Sequence, residues 1–188
     1  MSPSNFLTTI LLASFLVPSQ AWAQSFISPS KGEIEVAFSP NEGSESLVLN
    51  VIRSTKTELL ILAYSFTSAP ITEAVLSAKK RGVQVRIVAD HKSNIEEDRS
   101  GRAKAALASL ALAGIDVRTL SKYQAAHDKL IISDRKSVEL GSFNYSSAAA
   151  TRNSELVLVN WNNPELAAIF IRHFERNYGY SQPLNLSF

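Results

Sequence analysis

The chain has 188 residues, 45% of them apolar and 19% charged, with a net charge of +2. That balance excludes a disordered chain and gives enough length for one domain with its own core, while so small a net charge leaves any nucleic-acid binding to a local patch. There is no cysteine, which rules out a disulfide framework and a thiolate metal site.

The first element in chain order is a leader. Residues 6–17 are apolar and are followed by Pro18 and then Ala21-Trp22-Ala23, an apolar segment ahead of a small-residue cleavage site. A signal peptide is expected over 1–23, cut after Ala23, which sends the mature chain 24–188 to the periplasm or outside the cell. The leader departs from the usual pattern in having no Lys or Arg before Lys31. The alternative is an uncleaved anchor. It is disfavoured because Thr8, Thr9 and Ser14 dilute a run already short of the ~18 apolar residues that a spanning helix needs.

The mature chain alternates strand and helix patterns. Residues 33–38 alternate Glu/Ile/Glu/Val, as a first strand would. The spacing of Leu47, Val48, Val51 and Ile52 predicts a helix over 44–54 with Ser44 as its N-cap. Residues 58–64 form a continuous apolar strand of the kind buried on both faces. Pro70 opens a helix that Gly82 closes. A strand over 83–89, a polar irregular stretch over 90–101, a helix over 102–113 and a strand over 115–120 follow. After a loop at 121–126 come a hairpin (127–133 and 137–140), the turn Gly141-Ser142-Phe143-Asn144, a short helix over 145–151, a strand over 155–159 and a closing amphipathic helix over 164–178. The expected fold class is α/β, in α-β-α layers around a central mixed β-sheet, as one domain over 24–188.

The hairpin carries the sharpest motif, His127-x-Lys129-x-x-x-x-Asp134. Alternate strand residues share a face, so His127, Lys129, Ile131 and Ser133 point one way and Asp128, Leu130 and Ile132 the other. An imidazole and an ammonium side by side suit a phosphate: one attacks phosphorus and the other neutralises oxygen. Asp134 opens the turn Asp134-Arg135-Lys136 and is expected to hold backbone rather than substrate. Taken singly, Gly141-Ser142-Phe143-Asn144 is a turn sequence and Glu155 a solvated carboxylate. Together, within 28 residues of His127, each has work to do at a phosphodiester. Ser142 and Asn144 can donate hydrogen bonds to phosphoryl oxygens, and Glu155 can accept from one imidazole nitrogen and fix its tautomer.

These residues resemble the phospholipase D superfamily, and the stretch from His127 through Asn153-Ser154-Glu155 is similar to its small single-motif bacterial endonucleases of the Nuc type. The resemblance implies a phospholipase D-like fold. It makes His127 a nucleophile that forms a phosphohistidine, with Lys129, Ser142 and Asn144 binding phosphate, Glu155 orienting the imidazole and Asp134 in support.

In-line displacement needs an acid opposite the nucleophile, and the chain has no second His-x-Lys motif. A two-fold homodimer that brings two copies of His127 face to face supplies one. One imidazole attacks neutral and the other donates a proton, both forms being accessible for a group that ordinarily titrates near pH ~6.5. His173, in the last helix, is expected to be structural or exposed, and His91 sits in a polar loop open to substrate. No metal or cofactor is called for, because Lys129 and the amides can carry the charge stabilisation; Glu96-Glu97-Asp98 reads as a solvated helix start.

The motif fixes the reaction class rather than the substrate. Lys92, Arg99, Arg102, Lys122, Arg135 and Arg152 are candidate DNA contacts, with Tyr123 available for stacking. No sequence-reading motif is present, so non-specific DNA cleavage is the expectation, RNA being open. A lipid phosphodiesterase would need an apolar rim beside the site, which the sequence does not identify. A DNA-binding module without turnover would not require this full set of residues.

Overall fold

The computed structural model describes residues 25–186; the leader expected over 1–23 lies outside them. The strands are β1 (Glu33–Ser39), β2 (Glu58–Ala63), β3 (Gln84–Asp90), β4 (Asp116–Leu120), β5 (Lys129–Ser133), β6 (Ser137–Gly141), β7 (Glu155–Trp161) and β8 (Gln182–Pro183). The helices are α1 (Ser44–Ser54), α2 (Ala69–Lys80), α3 (Arg102–Leu112), α4 (Ser147–Thr151) and α5 (Pro164–Tyr180). Among the described residues the strands form one sheet in the order β1-β7-β6-β5-β2-β3-β4-β8. The pairs β2–β3 and β3–β4 are parallel and the remaining pairs antiparallel. The fold is thus the expected α/β layering around a mixed sheet.

Strand periodicity divides the core in two. Leu59, Ile61 and Ala63 of β2, with Ile87, Ile131 and Val157, meet α1, α2 and α3 through Val48, Ile52, Val75 and Leu107. Leu60 and Leu62, with Val88, Leu130, Ile132 and Val138, face α5 through Ala167, Ile171 and Phe174. Each fully buried side chain of this size contributes about 1.5–3 kcal/mol of burial, so the alternation itself fixes the register. Helix α5 leaves the outer strands bare on its side. Ile34, Val36 and Phe38 of β1 and Leu156 of β7 share that face and remain between 47% and 60% exposed.

Several elements differ from expectation. Ser44 does not cap α1: Gly43 takes that position at φ 97, and the buried Ser44 hydroxyl has no hydrogen-bond partner. Helix α2 is capped by Ser68, whose hydroxyl accepts from the Ile71 N–H. The stretch expected to be irregular holds a π-helical turn, Lys92–Glu96. Asp98 accepts from the Ser100 and Ala103 backbones at the entry to α3. Tyr145 stays outside α4 and bridges to Phe66. The short strand β8, which closes the sheet against β4, gave no sequence signal.

Candidate active site

Topology gathers the motif residues other than Asp134 at one edge of the sheet. Lys129 begins β5 opposite Ala63, where β2 ends; Leu130 pairs Leu140, so Gly141 ends β6 at the same level. Glu155 begins β7 opposite Ser39, the last residue of β1. A Cβ at Gly141 would lie 2.2 Å from the Leu156 carbonyl, so only glycine lets β7 approach here. Beyond it Phe143 and Tyr145 are fully buried, and their alternation with Ser142 and Asn144 turns the two polar side chains away from the core.

The His127 ring is exposed and leans on Tyr64, with centroids 4.3 Å apart and an interplanar angle of 53°. Lys129 is buried; its Nζ lies 3.0 Å from His127 Nδ1, 2.9 Å from the His127 carbonyl and 4.9 Å from the Tyr64 ring centre. Burial pushes the Lys129 ammonium below its usual range, against the opposing charges of Asp128 and Glu155. An ammonium can only donate, so in this arrangement Nδ1 presents its lone pair to Lys129.

Glu155 is where the geometry departs from expectation. It was expected to accept from the imidazole. Its hydrogen bonds instead come from the Ser142 hydroxyl at 2.6 Å and the Asn153 amide at 3.0 Å. Ser142 also accepts from the Leu156 N–H at 3.1 Å. The physical reason is reach: Ser142, the residue after β6, lies beside Glu155 at the start of β7, while Lys129 occupies His127 Nδ1. Glu155 therefore acts on Lys129 through charge and on the turn through Ser142. Asn144 Oδ1 is buried without a partner.

Asp134 sits at the other end of β5. Its carboxylate accepts from the backbone N–H groups of Lys56, Thr57 and Glu58 and from the Thr57 hydroxyl, at 2.7–3.2 Å. Arg135 is beside it, paired with Glu58 at 3.1 Å, and so stands a strand's length from His127. Lys122 and Tyr123 line the same hollow as His127. Lys92 pairs with Glu97 at 3.3 Å and borders Tyr64 and Asp90. Arg99, Arg102 and Arg152 are exposed and line neither of the two cavities that hold His127. His91 lies 3.2 Å from the Thr119 hydroxyl, in a separate cavity.

Sequence reasoning missed the part played by five groups. Buried Asp90 accepts from the Ala126 N–H at 2.8 Å and so holds the loop that delivers His127. Glu139, fully buried under the site, accepts from the Tyr145 hydroxyl at 3.0 Å, and burial pushes its carboxyl up to about 8. His173 and Asn177 of α5 bond to Asp128 at 3.0 and 3.4 Å, and Arg176 joins them in the hollow beside His127. The only available signal was spacing: His173 and Asn177, like Arg172 and Arg176, are four apart on a helix and share a face. A second cavity of about 1340 Å³ also adjoins His127. One wall is apolar, from Leu140, Leu166, Ile169, Phe170 and Phe26, and Ser28, Arg172, His173 and Arg176 line the rest with the motif residues.

An exposed imidazole beside a buried ammonium, with hydroxyl and amide groups at the same edge of a mixed α-β-α sheet, defines a phosphodiesterase of the hydrolase class. The family described as cardiolipin synthase, PLD-like domain, matches residues 48–178, and the chain belongs to the phospholipase D superfamily. The structure of the phospholipase D family member Nuc from Salmonella typhimurium is similar at 40% identity and a TM-score of 0.77, over 81% of this chain and 98% of that one. A phospholipase D of Rickettsia conorii is 34% identical over 77% of this chain and 69% of its own length. The mouse mitochondrial cardiolipin hydrolase is 29% identical over 79% of this chain and 64% of its own.

Proposed function

We propose that the protein is a metal-independent, non-specific DNA endonuclease that works through a phosphohistidine in a site shared by two subunits. The observation that carries this reading is the exposed His127 imidazole with the Lys129 ammonium 3.0 Å from its Nδ1. A phosphodiester entering here draws Lys129 onto a phosphoryl oxygen and frees the imidazole lone pair. One His127 nitrogen attacks phosphorus; the P–N bond forms as the P–O bond to the leaving nucleoside breaks. The imidazolium of the partner copy's His127 gives its proton to that oxygen. The same imidazole, now neutral, takes a proton from water, which attacks phosphorus and releases His127. Lys129 and Asn144 hold the phosphoryl oxygens throughout, and the Ser142 hydroxyl turns from Glu155 to a phosphoryl oxygen when substrate enters, with Glu155 acting on Lys129 through charge and Asp134 supporting β5 from its far end.

The shared site accords with the bare apolar stripe of Ile34, Val36, Phe38 and Leu156. That stripe ends at the same sheet edge as Glu155, so a second copy covering it sits at the site. With its leader removed after Ala23, the enzyme works in the periplasm or outside the cell, free of the membrane.

A second reading has one specific observation in its favour. The apolar wall beside His127 is the rim that a lipid phosphodiesterase requires, and the relatives named phospholipase D and cardiolipin hydrolase point the same way. Incubating the mature protein in excess chelator with plasmid DNA and with phospholipid vesicles separates the two. The endonuclease reading expects nicked and linear plasmid, intact lipid, and no cutting by His127→Ala. Lipid turnover with intact plasmid, undiminished cutting by His127→Ala, or loss of activity in chelator restored by Mg²⁺ overturns it.

A further inference from the structure

The hollow beside His127 holds polar groups that the reaction above leaves unused. Asp128, on the face of β5 opposite Lys129, meets His173 Nε2 at 3.0 Å. His173 Nδ1 lies 2.8 Å from the Arg176 guanidinium. A guanidinium only donates, so Nδ1 accepts and Nε2 carries the proton toward Asp128. Asn177, itself buried, donates to Asp128 and accepts from the Tyr123 hydroxyl at 3.3 Å. The strand that carries the attacking imidazole thus fixes, through its next residue, an arginine on α5.

That arginine has no carboxylate of its own. Among the described residues four of the 19 lysines and arginines, Lys31, Arg86, Lys92 and Arg135, pair with acids, and Arg176 and Lys122 are among those that do not. Arg176 bonds to His173, and the Lys122 ammonium lies 4.1 Å from the centre of the Tyr180 ring. The hollow they line with Tyr123 and His127 has a volume of about 690 Å³, within the range of small-molecule sites. Two cations with a single carboxylate between them favour an anion. A guanidinium held from behind presents its remaining N–H groups as a fork suited to phosphate. The half-exposed Tyr123 ring in the same wall offers a stacking face, which an unpaired base can use and a base inside a duplex cannot without leaving its stack.

We propose that this hollow is a flanking-nucleotide subsite for single-stranded nucleic acid: Arg176, locked through His173 to Asp128, binds the phosphate next to the scissile one, and Tyr123 stacks on the adjoining base. The proposal rests on the reading of the site as a nuclease. It makes Arg176 and Tyr123 determinants of substrate choice, outside the bond-breaking set.

The test compares the mature wild-type chain with Arg176→Ala, Arg176→Lys and Tyr123→Ala on three substrates: a single-stranded oligonucleotide, the same sequence as a duplex, and bis(p-nitrophenyl) phosphate, which has no flanking phosphate or base. The wild type is expected to prefer the single strand. Arg176→Ala should raise KM for the single strand about tenfold, leave kcat within about twofold and flatten the salt dependence by about one phosphate contact. Arg176→Lys should recover part of that loss. Tyr123→Ala should raise KM for the single strand and leave the duplex unchanged. Hydrolysis of bis(p-nitrophenyl) phosphate should be the same in all four proteins. Equal loss on all three substrates, unchanged KM in Arg176→Ala, or a wild type that prefers duplex overturns the subsite. A wild type that hydrolyses bis(p-nitrophenyl) phosphate but neither oligonucleotide overturns the nuclease reading beneath it.

Discussion

The Tyr145 hydroxyl donates to Glu139 Oε2 across 3.0 Å, between two side chains that are both 0% exposed. Tyr145 also gives its carbonyl to the Thr67 and Ser68 N–H groups, each at 2.8 Å, so the residue after Asn144 is held from both ends. The pair forms a polar floor under the Ser142–Asn144 turn, built in the apolar face of the sheet.

Burial pushes the Glu139 carboxyl up to about 8, while in the unfolded chain it titrates near the ordinary value of about 4.3. Between those values the folded state holds a proton that the unfolded state has released. Stability is therefore fully present below the lower value and is lost as pH rises through the upper one, by at most about 1.4 kcal/mol per pH unit. Chemical denaturation of wild type and Glu139→Gln across that window should show the fall in the wild type and a flatter profile in the variant. Parallel profiles would mean that the carboxyl is ionised in the fold.

Asp134 titrates the other way. Burial pushes it up, but the backbone N–H groups of Thr57, Lys56 and Glu58 and the Thr57 hydroxyl outweigh that and hold it below the usual carboxylate range. Its contribution is present above the unfolded value and lost as pH falls through the folded one. Asp134→Ala takes the acceptor from three backbone donors, two of them open to water, and should cost about 1–2 kcal/mol in urea unfolding. Asp134→Asn should cost less, since it keeps an acceptor and tolerates the positive φ of 50 at this position. Because Asp134 lies at the end of β5 away from His127, kcat of the folded variants should stay within about twofold of wild type, a bound that a substrate-binding Asp134 would break.

Local pattern made most of this fold legible. The β2 run announces a strand buried on both sides, and the structure packs Leu59 and Ile61 on one core and Leu60 and Leu62 on the other. The motif residues needed only strand alternation and adjacent strands to meet at one edge. What the sequence hid depends on contacts between elements far apart in the chain. Asp128 looks like a spacer between His127 and Lys129 until α5 brings His173 and Asn177 to it. Glu139 reads as an ordinary charged residue of a hairpin, because nothing local marks it as covered by Tyr145 and the α1 layer. The bond from Ser142 to Glu155 was hidden for a related reason: the β6–β7 register, which sets Ser142 beside it, is invisible before the strands are paired.

Lys129 and Asn144 give the most direct check on phosphate binding. Lys129→Ala removes a buried ammonium that lies beside the imidazole and over the Tyr64 ring, and Asn144→Ala removes an amide whose oxygen has no partner among the described residues. Each should lower kcat about 10²–10³-fold, the usual loss for one preorganised donor at developing charge, with melting temperature little changed for Asn144→Ala. A variant that raises KM alone would place its residue in ground-state binding.

The account stands on two copies of His127 acting at one phosphorus, and mixing the subunits measures this directly. Wild type and His127→Ala are unfolded together, refolded at varied ratios with total protein constant, and assayed on the same DNA. If each site needs an imidazole from both chains, activity follows the square of the wild-type fraction, so an equal mixture retains about a quarter of full activity. Activity that falls in direct proportion, with about half remaining at an equal mixture, would show that one chain cuts alone and would contradict the account.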